Sequence, residues 1–381
     1  MSTDPTAVGT VRDLHELAAS CTEGADFGPD DYSEGLEVLL DSYAREAKLT
    51  PLGVLAIRET LRGALVARSL SEAAWQSRPD CTEIPIQQPI FVTGLPRTGT
   101  TALHRLLTAD PTHQGLEMWL AERPQPRPPR SEWASNPSFQ EIDAAYRAQR
   151  AANPDLSGMH YMDAVEVEEC WRVLQQSMQS IAYECLTYVP TYSAWLAEQE
   201  WTNAYERHRR TLQIIGANDT DRRWVLKNPS HIFALDEILR VYPDALIVHT
   251  HRSPRTVIAS MCSVNQQATL GWSEAFDPHT IGRTQLDLWA RGMEKFTEAR
   301  RRHDSAQFLD VEYDDFVADP LGTVATVYSH FGLDLTETAL AAIHAMDDES
   351  HRGERKPVHT YGLAEFGLTA AQVDERFAGM R

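Results

Sequence analysis

Apolar residues fall along this chain in two rhythms. Short, nearly continuous runs such as Ile90-Phe91-Val92, Trp224-Val225-Leu226, Ala245-Leu246-Ile247-Val248 and Phe308-Leu309-Asp310-Val311 are too brief for helices. They predict buried strands ending near Thr93, Lys227, Thr250 and Val311. Between them lie helical patterns. Leu103, Leu106 and Leu107 share one face just after the first run. Asn228-Pro229-Ser230 opens a helix through Leu239, and further helices are expected over Pro254 to Val264 and Pro278 to Arg302. Asp319-Pro320 leads into another that ends near Phe331-Gly332. Strands alternating with helices predict an α/β fold, a parallel sheet with helices on both faces.

Two regions break this alternation. Residues 1–80 read as helical throughout. Leu36, Val38, Leu39, Leu40 and Tyr43 mark one helix, and Thr50-Pro51 is a cap followed by a first-turn proline for another running through Ala74. This N-terminal region carries no evident chemistry; it is expected to pack over the sheet or to form a contact in a homo-oligomer. The sheet-bearing part then occupies 81–381, with a helical insert over about 112–220. Within the insert, the proline-rich run Arg123 to Arg130 excludes both helix and central strand. It is either a rigid border of a site or a plain connector. Farther on, Trp171, Met178, Tyr183, Tyr188, Tyr192 and Trp195 belong to an aromatic stretch. Such residues are usually core, and together they could also wall an apolar acceptor pocket.

Composition narrows the partners. With 55 acidic against 35 basic residues the chain carries a net charge of −20, which excludes an extended basic surface for nucleic acid. No window approaches the length of apolar sequence that spans a membrane, and Met1-Ser2-Thr3-Asp4-Pro5 lacks a signal peptide's basic start. Five cysteines, odd in number and without metal-ligand spacing, suggest reduced, mostly buried thiols of a cytoplasmic protein.

The chemistry concentrates where the first strand ends, at Gly94-Leu95-Pro96-Arg97-Thr98-Gly99-Thr100-Thr101. A glycine loop leading into a helix N-terminus gathers N–H groups around an anion, and the helix dipole adds positive potential there. Thr100 and Thr101 add hydroxyls, and Arg97 a planar fork of donors. Gly94 and Gly99 have the spacing of a nucleoside-triphosphate loop, yet Thr100 stands where that loop carries lysine. A triphosphatase needs the lysine and Mg²⁺ on several charges. A sulfuryl group carries less charge and can be transferred without a metal. The run Leu95 to Thr101 resembles the 5′-phosphosulfate loop of sulfotransferases that use 3′-phosphoadenosine 5′-phosphosulfate (PAPS), whose pattern is Pro-(Lys/Arg)-(Ser/Thr)-Gly-Thr-Thr. The resemblance implies that Pro96, Arg97, Thr98, Gly99, Thr100 and Thr101 bind the donor.

Other strand ends extend the pattern. Arg252 follows the third run and Ser260 lies eight residues later, about two helical turns away, so the pair could clamp a further phosphate. In the family, an Arg and Ser so spaced hold the 3′-phosphate of PAPS. The resemblance also implies that Lys227 contacts the transferred group and that His231 corresponds loosely to a family histidine base. It brings in Lys356, and loosely Arg355, as a late basic segment over the 3′-phosphate. Transfer to a hydroxyl needs a general base. Glu168 and Glu169 open the aromatic stretch, and only one can face a site because adjacent helical residues diverge by about 100°. Glu117 and His160 are further options. The expected activity is sulfuryl transfer from PAPS to a hydroxyl of a small or lipidic acceptor. A Mg²⁺-dependent kinase and a non-catalytic binder of a sulfate-bearing ligand are the alternatives.

Overall fold

The computed structural model describes residues 7–22, 24–152, 162–352 and 362–380. Its centre is a five-stranded parallel sheet in the order β2-β3-β1-β4-β5. The strands are β1 (Ile90–Gly94), β2 (His113–Gln114), β3 (Arg223–Lys227), β4 (Leu246–His251) and β5 (Phe308–Glu312). Four match the apolar runs to within a residue or two. β2 has only two residues, too few to show any alternation, so nothing in its pattern announced it.

Side chains of successive strand residues point to opposite faces, and this sheet is buried on both. On one face Ile90, Val92, Val225 and Val248 pack against Leu103, Leu106 and Leu107, and against Val324 and Val327 of the Pro320–His330 helix. On the other, Phe91, Leu226 and Ile247 join a larger apolar cluster. That cluster reaches Tyr183 and Tyr192 of the insert and Leu14, Leu36 and Leu65 of the N-terminal helices.

The N-terminal helices are α1 (Val11–Ala19), α2 (Ser33–Arg45) and α3 (Pro51–Ser77). Thr50 caps α3 as expected, its side chain accepting from the Gly53 N–H at 3.1 Å. Arg68 of α3 is fully buried and locks this layer to the insert. It donates to the carbonyls of Phe27, Pro29 and Gln176 at 2.5, 2.7 and 3.0 Å.

Two helices differ from their expected extents. Instead of one helix from Asn228 to Leu239, a tight turn over Pro229–Phe233 precedes a helix over Leu235–Val241. The break falls at Ala234, whose backbone is not helical (φ −140°, ψ 37°). The helix after β4 continues to Ala268, beyond Val264. Among the described residues, no helix is long and apolar enough to cross a membrane.

Candidate active site

β1 is central, and the turn after it meets the loops beyond β3, β4 and β5, the carboxyl-end position where parallel sheets hold ligands. Gly94 ends β1 with φ 140°, and a Cβ there would stand 2.4 Å from the Thr250 carbonyl oxygen on β4. Gly99, at φ 88°, is the N-cap of α4 (Thr100–Thr108). Between them Arg97 takes φ 66°, a left-handed conformation that costs a non-glycine residue energy and marks a constrained turn. Thr98 is buried, its Oγ1 donating to the Leu95 carbonyl and lying 2.6 Å from Thr250 Oγ1. Its side chain braces the loop against β4 and stays out of the cavity in front. Pro96, Arg97, Gly99, Thr100 and Thr101 line that cavity, whose volume is 470 Å³.

Residues from the other strand ends meet around the same cavity, Lys227 from behind its wall and Glu169 in its lining. Lys227 closes β3 with its side chain almost wholly buried, donating to Glu169 Oε1 at 2.6 Å and to Thr101 Oγ1 at 3.3 Å. Backbone pairing places Glu169 there: the Cys170 N–H donates to the Lys227 carbonyl at 3.0 Å, and the Glu168 N–H to the Leu116 carbonyl at 2.8 Å. Both glutamates lie ahead of the helix Trp171–Gln175 and not on it, so these backbone bonds, rather than the expected helical offset, set their side chains apart. Glu169 lines the cavity, whereas the Glu168 carboxylate is buried and accepts from the Glu169 N–H at 2.8 Å.

Beyond β4, Arg252 Nη1 donates to the Arg97 carbonyl at 3.0 Å, and its guanidinium lies 3.9 Å from the Tyr313 ring centroid. Ser260 is buried on the following helix and accepts from Arg97 Nε at 3.3 Å. Loop, Arg252 and Ser260 therefore form one connected unit, and Lys227 joins it through Thr101, so an acidic chain concentrates three cations around one loop, where they focus an anion.

The remaining candidates lie elsewhere. His231 does not line the cavity. It is buried behind the Pro229–Phe233 turn, 2.7 Å from the Tyr205 hydroxyl and edge-on to Phe91. Burial, with His208 and Lys227 nearby, holds its imidazole well below the usual histidine range. Glu117 is tied to Arg127 at 3.0 Å, away from the cavity. Burial raises its carboxyl, and Arg127 opposes the rise. Arg127 also pairs with Asp219 at 2.8 Å, so this part of the proline-rich run is anchored at the sheet edge, and no residue of the run lines this cavity. His160, Arg355 and Lys356 fall outside the described residues.

Three contributors escaped the sequence reading. Asn228 and Ser230 line the cavity, and Asn228 Nδ2 and Ser230 Oγ are buried without a hydrogen-bond partner. Buried polar atoms are rarely left so, and both are available to ligand oxygens. Tyr313, first residue after β5, supplies the surface on which Arg252 stacks. In the sequence, Asn228 and Ser230 have the form of a helix start, and Tyr313 stands at a strand end without a charge.

The Sulfotransferase family model matches residues 89–337. The chain belongs to the sulfotransferase family. It superposes on the crystal structure of sulfotransferase STF1 from Mycobacterium tuberculosis with a TM-score of 0.91 and 54% identity, covering 98% of this chain and 100% of that one. Sulfotransferase STF9 from Mycobacterium avium matches with a TM-score of 0.88 and 25% identity, over 99% of this chain and 96% of that one. The ω-hydroxy-β-dihydromenaquinone-9 sulfotransferases Stf3 of Mycobacterium bovis and M. tuberculosis are 31% identical over 258 residues, 64% of this chain. The match spans 63% of the length of those two relatives. The glycine loop and the unpartnered polar atoms of Asn228 and Ser230 line the cavity, and such a set of groups suits the sulfonate donor that a sulfotransferase uses.

Proposed function

We propose that this sulfotransferase moves the sulfuryl group of PAPS to the hydroxyl of a lipidic acceptor, with Glu169 as general base. The observation that carries the reading is the Lys227–Glu169 pair. Glu169 lines the polar end of a cavity whose other walls include Trp171, Ile181, Leu186, Met261 and Trp289, and Lys227 stands directly behind it. A base and an electrophile-stabilising cation thus meet the phosphate loop on one side and an apolar chamber on the other. The Stf3 relatives are named for a hydroxylated menaquinone, and the same class of acceptor suits these walls.

In this reading the loop N–H groups and the Thr100 and Thr101 hydroxyls hold the 5′-phosphosulfate, with Arg97 beside them. Arg252 and Ser260 hold the 3′-phosphate. Glu169 takes the acceptor's proton while the acceptor oxygen bonds to sulfur and the sulfur–oxygen bond to the 5′-phosphate breaks. Lys227 and Arg97 stabilise the charge that returns to the departing oxygen, and adenosine 3′,5′-bisphosphate (PAP) leaves. Before substrates arrive, Lys227 and Glu169 neutralise one another.

Single-turnover transfer from radiolabelled PAPS to an ω-hydroxylated polyprenyl quinol tests this. Glu169→Gln should lower the transfer rate by about 10²–10⁴ while keeping or tightening PAP binding, because Lys227 loses the carboxylate that competes with the anion. A variant that transfers at the wild-type rate would remove Glu169 from the role of base.

A further inference from the structure

A second cavity, also of 470 Å³, lies on the far side of Trp171. Trp171, Leu186 and Val264 line both cavities, so they form a partition with a face in each. On α3, Thr60, Gly63 and Ala67 recur at helical spacing and turn one face to the second cavity. Ile142, Ala145 and Tyr146 of the Pro137–Ala152 helix form the opposite wall. A Cβ at Gly63 would meet nothing within 4 Å, so the space before α3 is open.

The charges around this cavity decide what it can hold. Its lining cations are Arg62, Arg123 and Arg172, and its lining carboxylates are Glu59, Glu122 and Glu141. They pair completely: Arg62 with Glu59, Arg123 with Glu141 at 2.6 Å, and Arg172 with Glu122 at 3.3 Å. Among the described residues no lining charge is left over for an ionic ligand, and the rest of the lining is mostly apolar, with Thr60, Gln149 and Gln175 among its uncharged polar side chains.

Building on the acceptor reading above, we infer that the second cavity holds the uncharged hydrocarbon tail of the acceptor, which passes Trp171 while its hydroxyl stays at Glu169. The N-terminal helices, through α3, are then part of the specificity apparatus and select for tail length.

Butanol and decanol serve as probes with one hydroxyl and different tails. Each buried methylene multiplies affinity about fourfold, so wild-type kcat/KM should favour decanol by at least about tenfold. Gly63→Leu and Ala145→Trp fill the second cavity from opposite walls. Each should bring decanol down to the butanol level while leaving butanol turnover and PAP affinity within about twofold. Equal losses for both alcohols, or no loss in either variant, would overturn the inference. Calorimetric binding of decanol to the PAP-bound protein separates this inference from the acceptor reading. Binding that weakens in both variants, without transfer, keeps the tail site and sinks the acceptor reading; binding indifferent to both variants sinks the tail site.

Discussion

Removing Arg252 should cost this protein its preference for a nucleotide with a 3′-phosphate. The guanidinium is held in advance of any ligand, by its bond to the Arg97 carbonyl at 3.0 Å and by the Tyr313 ring 3.9 Å away. A fork fixed on two sides loses little freedom on binding, so most of its interaction energy reaches the affinity. A hydrogen bond to a charged group is worth about 1.5–3 kcal/mol, and every 1.4 kcal/mol is tenfold in Kd. Arg252→Ala should therefore weaken PAP by about tenfold to a hundredfold. AMP, which lacks the 3′-phosphate, should weaken by no more than about threefold through the loosened Arg97 carbonyl. Calorimetry with both nucleotides on wild type and variant gives the ratio that matters. Arg252→Lys keeps the charge without the stacked fork and should recover only part of the loss. An unchanged ratio of PAP to AMP affinity refutes the assignment. So does an equal loss for both nucleotides, which would mean that Arg252 acts only by positioning the loop.

Two other predictions concern stability. Gly94→Ala puts a Cβ 2.4 Å from a backbone carbonyl oxygen at φ 140°, and should cost about 3 kcal/mol or more in denaturant unfolding. Gly63→Ala, in the open interior of α3, should instead add about 0.5–1 kcal/mol; the reverse order of the two would contradict the loop geometry. The second concerns acid. Burial holds His104 and His208 down to about 3, and His231 well below the usual range. A histidine kept neutral in the fold binds its proton only after unfolding, so stability is full above about pH 6.5 and falls as pH drops toward about 3. Each such histidine contributes up to about 1.4 kcal/mol per pH unit in that window. Thermal unfolding of wild type and His208→Phe between neutral pH and pH 5 checks this, the variant showing the shallower decline; parallel curves would exclude His208.

How far the sequence reaches depends on whether a residue's role is local. The glycine loop was legible because strand, turn and helix start are consecutive, and its phosphate-binding shape needs nothing from elsewhere. Arg252 and Ser260 were legible for a similar reason: a strand end and a two-turn helical offset place them. Glu169 was narrower ground. Its side of the helix start was open on spacing alone; what turns it inward is the Cys170 N–H bonded to the Lys227 carbonyl, a contact between residues 57 positions apart in the chain. His231 went the other way. Four residues from Lys227 it suggested a base, but the tight turn that replaces the expected helix carries it behind Phe91 and next to Tyr205. The part least accessible to sequence is α3, whose small residues read as plain helix until the Pro137–Ala152 helix and Trp171 are set opposite them.

The Lys227–Glu169 contact also has a consequence for the order of events. At 2.6 Å, with the lysine almost wholly buried, the two charges satisfy one another, and neither is free for its proposed task. Taking one away leaves a buried charge uncompensated, which costs about 3–5 kcal/mol. An anion arriving in the adjoining loop supplies the replacement partner, because Lys227 already reaches Thr101 at 3.3 Å and can lean toward the loop. Glu169 is then released to accept a proton only when the donor is in place. On this argument the acceptor meets an active base after the donor binds and not before, so acceptor affinity should rise when PAP is present and lose that dependence in Lys227→Met. Equal acceptor affinity with and without PAP in the wild type would break the argument.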